Sequence, residues 1–327
     1  MLIFKMLKIN SKIVIYIKTQ VEKLSYKFYL KHFVYGSGNT LIGFQIKENG
    51  SSEKEGIVSY GYDDFNRISQ RNLKLSPTSY ITSAYQYKSS DLRSGKTTTQ
   101  ILSEEIDGLR YVYTYDQEDN ITRITRVENN QTNDIFYYYD ANNQLVREDN
   151  GITGQTLAYT YDQGGNITSE KRYAYTREAL TNKTANKTIV YTYGNSNWKD
   201  QLTSYDGKAI TYDTIGNPTN YLGKTFGWQG RNLVAINDNI SYTYNVDVIG
   251  ISKTVNGYTT TFDYASDKLV HERKETSNGN YHLYYTYDAN GNLALIEVYD
   301  GINAIDKYYV AVNSRGDVEP FTIVQNK

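Results

Sequence analysis

The stretch YTYDANGNL, from Tyr285 to Leu293, decides how the rest of the chain is read. Tyr285 and Tyr287 are two apart, so in a strand both rings point to one face, where large β-favouring side chains pack. The polar half then stops the strand. Asp288 is placed to accept bonds from backbone amides just ahead of it, Gly291 to take positive φ, and Asn290 and Asn292 tolerate left-handed conformations. Leu293 opens the next apolar run. The phrase reads as strand, tight turn, strand.

It recurs along the chain. YGYDDFNRI begins at Tyr60, YTYDQEDNI at Tyr113, YYYDANNQL at Tyr137 and YTYDQGGNI at Tyr159; ITYDTIGNP at Ile210 lacks the first Tyr, and YTYNVDVIGI at Tyr242 is degenerate. The marker residues are Asp63, Asp116, Asp140, Asp162, Asp213, Asn245 and Asp288. Asp116 to Asp140 is 24 residues and Asp140 to Asp162 is 22, and several other gaps are near twice that, as if intervening copies had eroded. Self-similarity at a near-fixed period is the mark of a repeat architecture, and it takes precedence over reading any single Asp as catalytic.

In register, these phrases resemble the YD repeats of the RHS superfamily of bacterial RHS proteins, wall-associated proteins and animal teneurins. The resemblance covers residues 35–318, including YTYGNSNWKDQLTSYDGKAITYDTIGNP (residues 191–218) and the closing YYVAVNSRGDV from Tyr308. It implies an all-β fold: a YD-repeat hairpin array forming a curved ribbon, part of a hollow β-shell that in many bacterial members encloses a toxic C-terminal domain. The organisation expected is a non-repeat basic segment over 1–34, the repeat array over 35–318 and a tail over 319–327.

Composition agrees with strands. The chain has 35 Tyr against 9 Phe and 2 Trp, and only three prolines, Pro77, Pro218 and Pro320. Tyrosine buries a ring while keeping a polar tip, which suits broad sheets that meet water. Cysteine is absent, which excludes disulfides, thiolate metal sites and a cysteine nucleophile within these residues. Net charge is −1, giving no electrostatic case for nucleic acid. Residues 1–31 nevertheless hold seven Lys against one Glu, about +6. No apolar run there reaches the length of a membrane span, and no clean apolar core with a small-residue cleavage site marks a signal peptide. That segment reads either as a degraded edge of the repeat or an artefactual start, or as a basic amphipathic helix at a membrane surface.

Between the phrases, residues 69–110 read as repeats with weakened markers. Residues 173–190 read as a long hairpin with a polar tip near 182–187 rather than a helix. The strand beginning at Ile135, IFYYYD, is apolar or aromatic on both faces and is expected to be buried on both. ISYTYN and YTTTFDY are expected to pair around Asn256-Gly257, a strong hairpin signal.

Each chemical reading has a structural competitor. Asp288-x-Asn290-x-Asn292 imitates a calcium loop, but Leu293 and Tyr299 stand where such a loop needs glycine and a bidentate carboxylate. A glycosidase needs two carboxylates converging on one cleft, and an Asp repeated in every phrase is not placed by that need. The structural reading therefore assigns Asp63, Asp116, Asn120, Asp140, Asp162, Gly165, Asn166, Asp213, Gly216, Asn217, Asp288, Gly291 and Asn292 to repeat turns. His271 and His282 flank a turn at residues 277–280 and read as a surface pair rather than a zinc site, because no third ligand is in evidence. Arg315-Gly316-Asp317 falls where the family carries an Asn-x-x-Gly-Asp turn from Asn313.

Two functions follow. The first is a non-catalytic structural segment of a secreted or surface RHS protein, without cofactor, metal or transmembrane segment, whose partners are neighbouring repeats and a C-terminal effector domain. The second is a cell-surface adhesin that stacks glycan rings on tyrosine-rich faces, with Trp198 and Trp228 as stacking residues. Localisation outside the cell or at its surface rests on the resemblance alone. No Asp-Pro dipeptide of the kind that marks the family's conserved core segment occurs, so the chain reads as a fragment or one piece of a split gene.

Overall fold

The computed structural model describes residues 3–9, 12–18, 29–36, 40–48, 55–90, 96–314 and 324–325, with side chains described within 33–36, 40–45, 57–90 and 96–314. Among these residues every regular element is a strand, and the strand pairings join antiparallel neighbours that follow one another in the chain. The chain divides into two compact units, one of residues 1–108, 249–253 and 257–327, the other of 109–248 and 254–256.

The first unit opens with a separate hairpin of β1 (Ile3–Ile9) and β2 (Lys12–Lys18). The basic amphipathic helix considered for this segment is therefore replaced by strands. There follow β3 (Tyr29–Tyr35), β4 (Leu41–Glu48), β5 (Glu55–Tyr62), β6 (Ile68–Ser76), β7 (Ser79–Ser89) and β8 (Thr97–Ile106). Alternation sends one face inward. Val58 pairs with Leu73 and Leu73 with Ile81; one step along the same face, Tyr60 pairs with Arg71 and Arg71 with Ser83.

The second unit carries β9 (Leu109–Tyr115), β10 (Ile121–Glu128), β11 (Gln131–Tyr139), β12 (Leu145–Asn150), β13 (Gln155–Tyr161), β14 (Ile167–Ala174) and β15 (Lys187–Thr192). Shorter strands follow: β16 (Ser204–Tyr205), β17 (Lys208–Ala209), β18 (Thr211–Tyr212), β19 (Pro218–Tyr221), β20 (Lys224–Gln229), β21 (Asn232–Ile236) and β22 (Ile240–Tyr244). Residues 175–186 link β14 to β15 as an irregular loop, and β14 pairs with β15 antiparallel. Residues 135–139 are half-buried on both faces, not sealed as their apolarity suggested. Tyr139 turns its hydroxyl onto the Ile121 carbonyl of the neighbouring strand, at 2.9 Å.

β23 (Gly250–Val255) contributes to both units. β24 (Tyr258–Ala265), β25 (Lys268–Thr276), β26 (Gly279–Tyr287), β27 (Leu293–Asp300), β28 (Asn303–Tyr309) and β29 (Val324–Gln325) return to the first. Asn256 and Gly257, both at positive φ, join β23 to β24. The partner across that turn is thus GISKTV and not ISYTYN, which is β22. A further turn at Asn245–Val248 intervenes between β22 and β23.

The apolar core lies in the first unit. Phe44, Ile57, Val58, Leu73, Ile81 and Ile106 from the early strands meet Ala294, Leu295, Tyr309 and Ala311 from the late ones. Tyr309 donates its hydroxyl to the Leu75 carbonyl across the same contact, at 3.2 Å.

Candidate functional site: the repeated turn and its tyrosine ladder

Each phrase builds the same small structure. Asp162 Oδ1 accepts the backbone N–H groups of Gly164 and Asn166 at 2.8 and 2.9 Å. Its own N–H donates to the Asn166 carbonyl, and Gly165 N–H returns to the Asp162 carbonyl. Asp63, Asp116, Asp140, Asp213 and Asp288 accept from residues two and four ahead in the same way. The residue three ahead is forced to positive φ: Asn66, Asp119, Asn143, Gly165, Gly216 and Gly291 lie between 60° and 87°. A type I turn closed by a left-handed residue and a bulge has this form, and the strand register shifts at the Tyr before each Asp.

In three turns the outer carboxylate oxygen is taken by the Asn four ahead. Asn120, Asn166 and Asn217 donate Nδ2 to it at 3.1, 3.0 and 2.8 Å. The same amides reach beyond their own turn, Asn120 to Asn143 Oδ1, Asn166 to Asp200 Oδ1 and Asn217 to the Gly230 carbonyl. At Asp63 an arginine does this work: Arg67 binds the carboxylate through Nε and Nη2, lies 3.9 Å from the Tyr87 ring centroid and donates to Thr97 and the Thr98 carbonyl. These bonds hold the carboxyls of Asp63 and Asp162 below their ordinary range, the largest cause being the side chains of Arg67 and Asn166 respectively. Burial acts against the lowering at Asp213, and its bonds from Asn217 overcome it.

A second periodic feature escaped sequence reading. In five of the seven phrases the last Tyr donates its hydroxyl to a carbonyl at or near the start of the run that follows the preceding turn. Tyr62 reaches Leu41, Tyr87 reaches Ile68, Tyr139 reaches Ile121, Tyr161 reaches Leu145 and Tyr193 reaches Ile167. Tyr212 to Leu202 and Tyr244 to Leu233 continue the ladder. Trp228 serves as one rung through Nε1, donating to the Pro218 carbonyl at 2.7 Å. Tyr87, Tyr193 and Trp228 fall between marker residues, so the hydroxyl ladder records copies whose Asp has been lost. It also explains the preference for Tyr over Phe, since only the hydroxyl reaches the carbonyl. The signal available in the sequence was a Tyr persisting at the phrase position where Asp did not.

Trp198 and Trp228 do not form one platform by any contact between them. The Trp198 ring lies over Gly216, where a Cβ would meet it at 2.4 Å, and its own residue remains 48% exposed. Arg315-Gly316-Asp317 and the side chain of His32, the third histidine of the chain, lie outside the described residues. The backbone N–H of Ser314, just before them, donates to the buried Glu104 carboxylate at 2.7 Å. Asp288 is distinct from its counterparts. Its Oδ2 accepts Arg71 Nε at 2.8 Å with both side chains almost fully buried, and with Oδ1 on two backbone amides it is committed to protein donors rather than to calcium.

No protein-family model matches the chain. Two curated bacterial proteins do. It is 30% identical over 187 residues to the tRNA nuclease WapA of Bacillus subtilis (strain 168), a match covering 55% of this chain and 7% of that protein. It is 32% identical over 187 residues to the tRNA3(Ser)-specific nuclease WapA of Bacillus spizizenii, with the same coverage. Among solved structures, TcdB2-TccC3-TEV superposes with a TM-score of 0.62 at 15% identity, over 93% of this chain and 17% of that one. TcdB2-TccC3 without its hypervariable C-terminal region gives 0.61 at 13% identity, over 94% and 17%. These likenesses support the RHS/YD-repeat family that the repeated phrase resembles. The YD-repeat array spans less than a tenth of the length of the nucleases it matches and under a fifth of the structural neighbours.

Proposed function

We propose that this YD-repeat array is a non-catalytic wall segment, part of a β-shell that encloses or presents a C-terminal effector outside the cell or at its surface. One observation carries the reading: in phrase after phrase the Asp carboxylate is committed to its own turn, accepting two backbone amides on one oxygen. A carboxylate held in this way sets chain direction and presents no free acid or base. The relatives support it from another side. Two are named as nucleases, yet the match is confined to 7% of each, and a solved neighbour is named by the loss of its hypervariable C-terminal region.

Limited proteolysis of the protein isolated from its host tests this. The wall reading expects a C-terminal portion beyond the repeats that resists protease in buffer and is digested once denaturant melts the array. Digestion of that portion at the same rate with the array folded or melted overturns it.

A second reading, a glycan-binding surface, is favoured by the exposed Trp198 ring and by a half-buried row in which Tyr191, Tyr205 and Tyr221 meet edge to face at 5.2 and 6.0 Å. Aromatic faces of this kind suit the C–H faces of sugar rings. Affinity electrophoresis in cell-wall polysaccharide separates the two: retardation lost in Trp198→Ala supports binding, and unretarded wild-type protein removes it.

A further inference from the structure

His271 and His282, expected as a surface pair, come together across the turn, but His282 is buried. They stand diagonally across β25 and β26, where His271 is paired with Tyr284 and His282 with Arg273. His271 Nε2 lies 3.0 Å from His282 Nδ1, and His271 Nδ1 lies 2.8 Å from Asp263 Oδ2 on β24. The two imidazole planes differ by only 9° with centroids 5.2 Å apart. With facing nitrogens at 3.0 Å, that separation is an edge-to-edge arrangement in nearly one plane, the nitrogens in line, and not a face stack. Both lone-pair directions then run along one axis, which suits a shared proton and opposes chelation of one metal ion by both rings. Tyr284 stacks on His271 at 4.7 Å and holds the ring in place.

We propose that Asp263, His271 and His282 form a proton-storing relay that tolerates one added proton and loosens β24–β26 on taking a second. The carboxylate of Asp263 accepts Nδ1–H from His271, which leaves Nε2 of neutral His271 as the acceptor for His282 Nδ1–H. An incoming proton lands on His282 Nε2, the shared proton moves from His282 Nδ1 to His271 Nε2, and the positive charge comes to rest on His271 beside Asp263. The hydrogen bond survives with its direction reversed. A second proton must occupy the remaining facing position, placing N–H against N–H at 3.0 Å between two cations, and the bond is lost.

The surroundings set the sign. Arg273 faces His282 across the pair and is itself joined to Glu275, while Tyr299 faces His282 from β27 and Tyr284 lies over His271. His282 is 6% exposed. Burial first, then His271 and Arg273, lower its affinity for protons below the ordinary 6.5. A base whose folded pKa is depressed binds protons more readily when unfolded, so its contribution is present above the ordinary value and falls as pH drops through it. Carboxylates titrate lower, which leaves a window between pH 7.5 and 5.5 governed by the histidines.

Hydrogen exchange by mass spectrometry at pH 7.5 and 5.5, corrected for intrinsic rates and performed on the full chain, reads this directly. Protection over residues 258–287 is expected to fall on acidification while that over 121–174 does not. His282→Phe is expected to abolish the difference, and Asp263→Asn, which removes the charge that stabilises the stored proton, to shift the loss to higher pH. In a His32→Gln background the His282 imidazole is expected to titrate below the ordinary histidine range by nuclear magnetic resonance. Equal protection at both pH values, or an unchanged response in Asp263→Asn, overturns the proposal even where His282→Phe fails to fold.

Discussion

The two units use one phrase in different ways. In the first, strands more than 180 residues apart in sequence share a core, with Leu73 and Leu295 both at 0% exposure and the buried Arg71–Asp288 pair beside them. In the second, the buried apolar residues Leu109, Tyr113, Ile124, Tyr173, Ile189 and Ile210 form no such cluster among the described residues. Its order comes from bonds between successive turns and from the hydroxyl ladder, each rung touching only its neighbour. The contrast shows that a repeat can be stabilised one-dimensionally, rung by rung, or closed by contacts between its distant ends. The same Asp serves both, and context decides its weight.

Asp288 against Asp140 gives the largest expected difference. Asp288→Ala leaves the Arg71 guanidinium charged, buried and without its partner, a change worth about 3–5 kcal/mol. Two of that guanidinium's nitrogens, Nη1 and Nη2, already lack a hydrogen-bond partner. Asp140→Ala removes two backbone acceptor bonds at a half-buried turn and is expected to cost about 1 kcal/mol. Urea unfolding of both variants decides it, and equal losses would mean that the closure of the first unit adds nothing to the turn.

Within the second unit, Gly216→Ala and Gly165→Ala share a positive φ near 85° but differ in what the new methyl meets. At Gly216 it meets the Trp198 ring at 2.4 Å; at Gly165 it meets only the flexible Gln144 amide at 3.2 Å. The first is expected to lose about 2–3 kcal/mol and the second about 1 kcal/mol. Pairing Gly216→Ala with Trp198→Ala should recover part of the loss, and no recovery would show that the ring does not press on the turn.

The ladder itself is tested by Tyr161→Phe, which removes a 2.7 Å bond to the Leu145 carbonyl and is expected to cost about 1 kcal/mol. Tyr191→Phe keeps the edge contact with Tyr205 and is expected to be nearly silent. Both are read from thermal melts, and equal effects would make the hydroxyls incidental. Tyr191 is also expected to resist ionisation, because burial and then Glu170 push its phenol up to about 12; absorbance titration checks this.

How much of this was legible follows from distance along the chain. The turn was readable because all its partners lie within four residues of the Asp, where residue type dictates geometry. The ladder was not, since Tyr161 finds its acceptor sixteen residues back and only after a bulge has shifted the register. Arg71 and Asp288 are 217 residues apart, and no local pattern distinguishes that Arg from any other. The expectation that Ile135 and its neighbours would be sealed failed for a related reason. Apolarity on both faces shows that a strand tolerates burial, whereas covering it requires a second layer that strand periodicity does not encode.

The smallest expected change in turn stability concerns the most eroded copy. At Asn245 the phrase keeps its acceptor, taking the Asp247 amide at 3.0 Å, and Val248 N–H still returns to the Asn245 carbonyl. The left-handed position, held by Gly or a polar residue in the other turns, is here Val248 at φ 64°. A β-branched side chain is strained in that region, and Val248 is 58% exposed, so side-chain packing offsets little of the cost. Val248→Gly relieves the strain but adds chain entropy to the unfolded state. Relief of about 1–2 kcal/mol against an entropic loss of about 0.5–1 kcal/mol leaves a net gain of about 0–1.5 kcal/mol. Val248→Asn, which tolerates the conformation without the full entropic cost, is expected to match or exceed it. Thermal melts of the two variants against the parent decide the point, and a loss in both would mean that Val248 holds its turn through packing rather than in spite of its backbone.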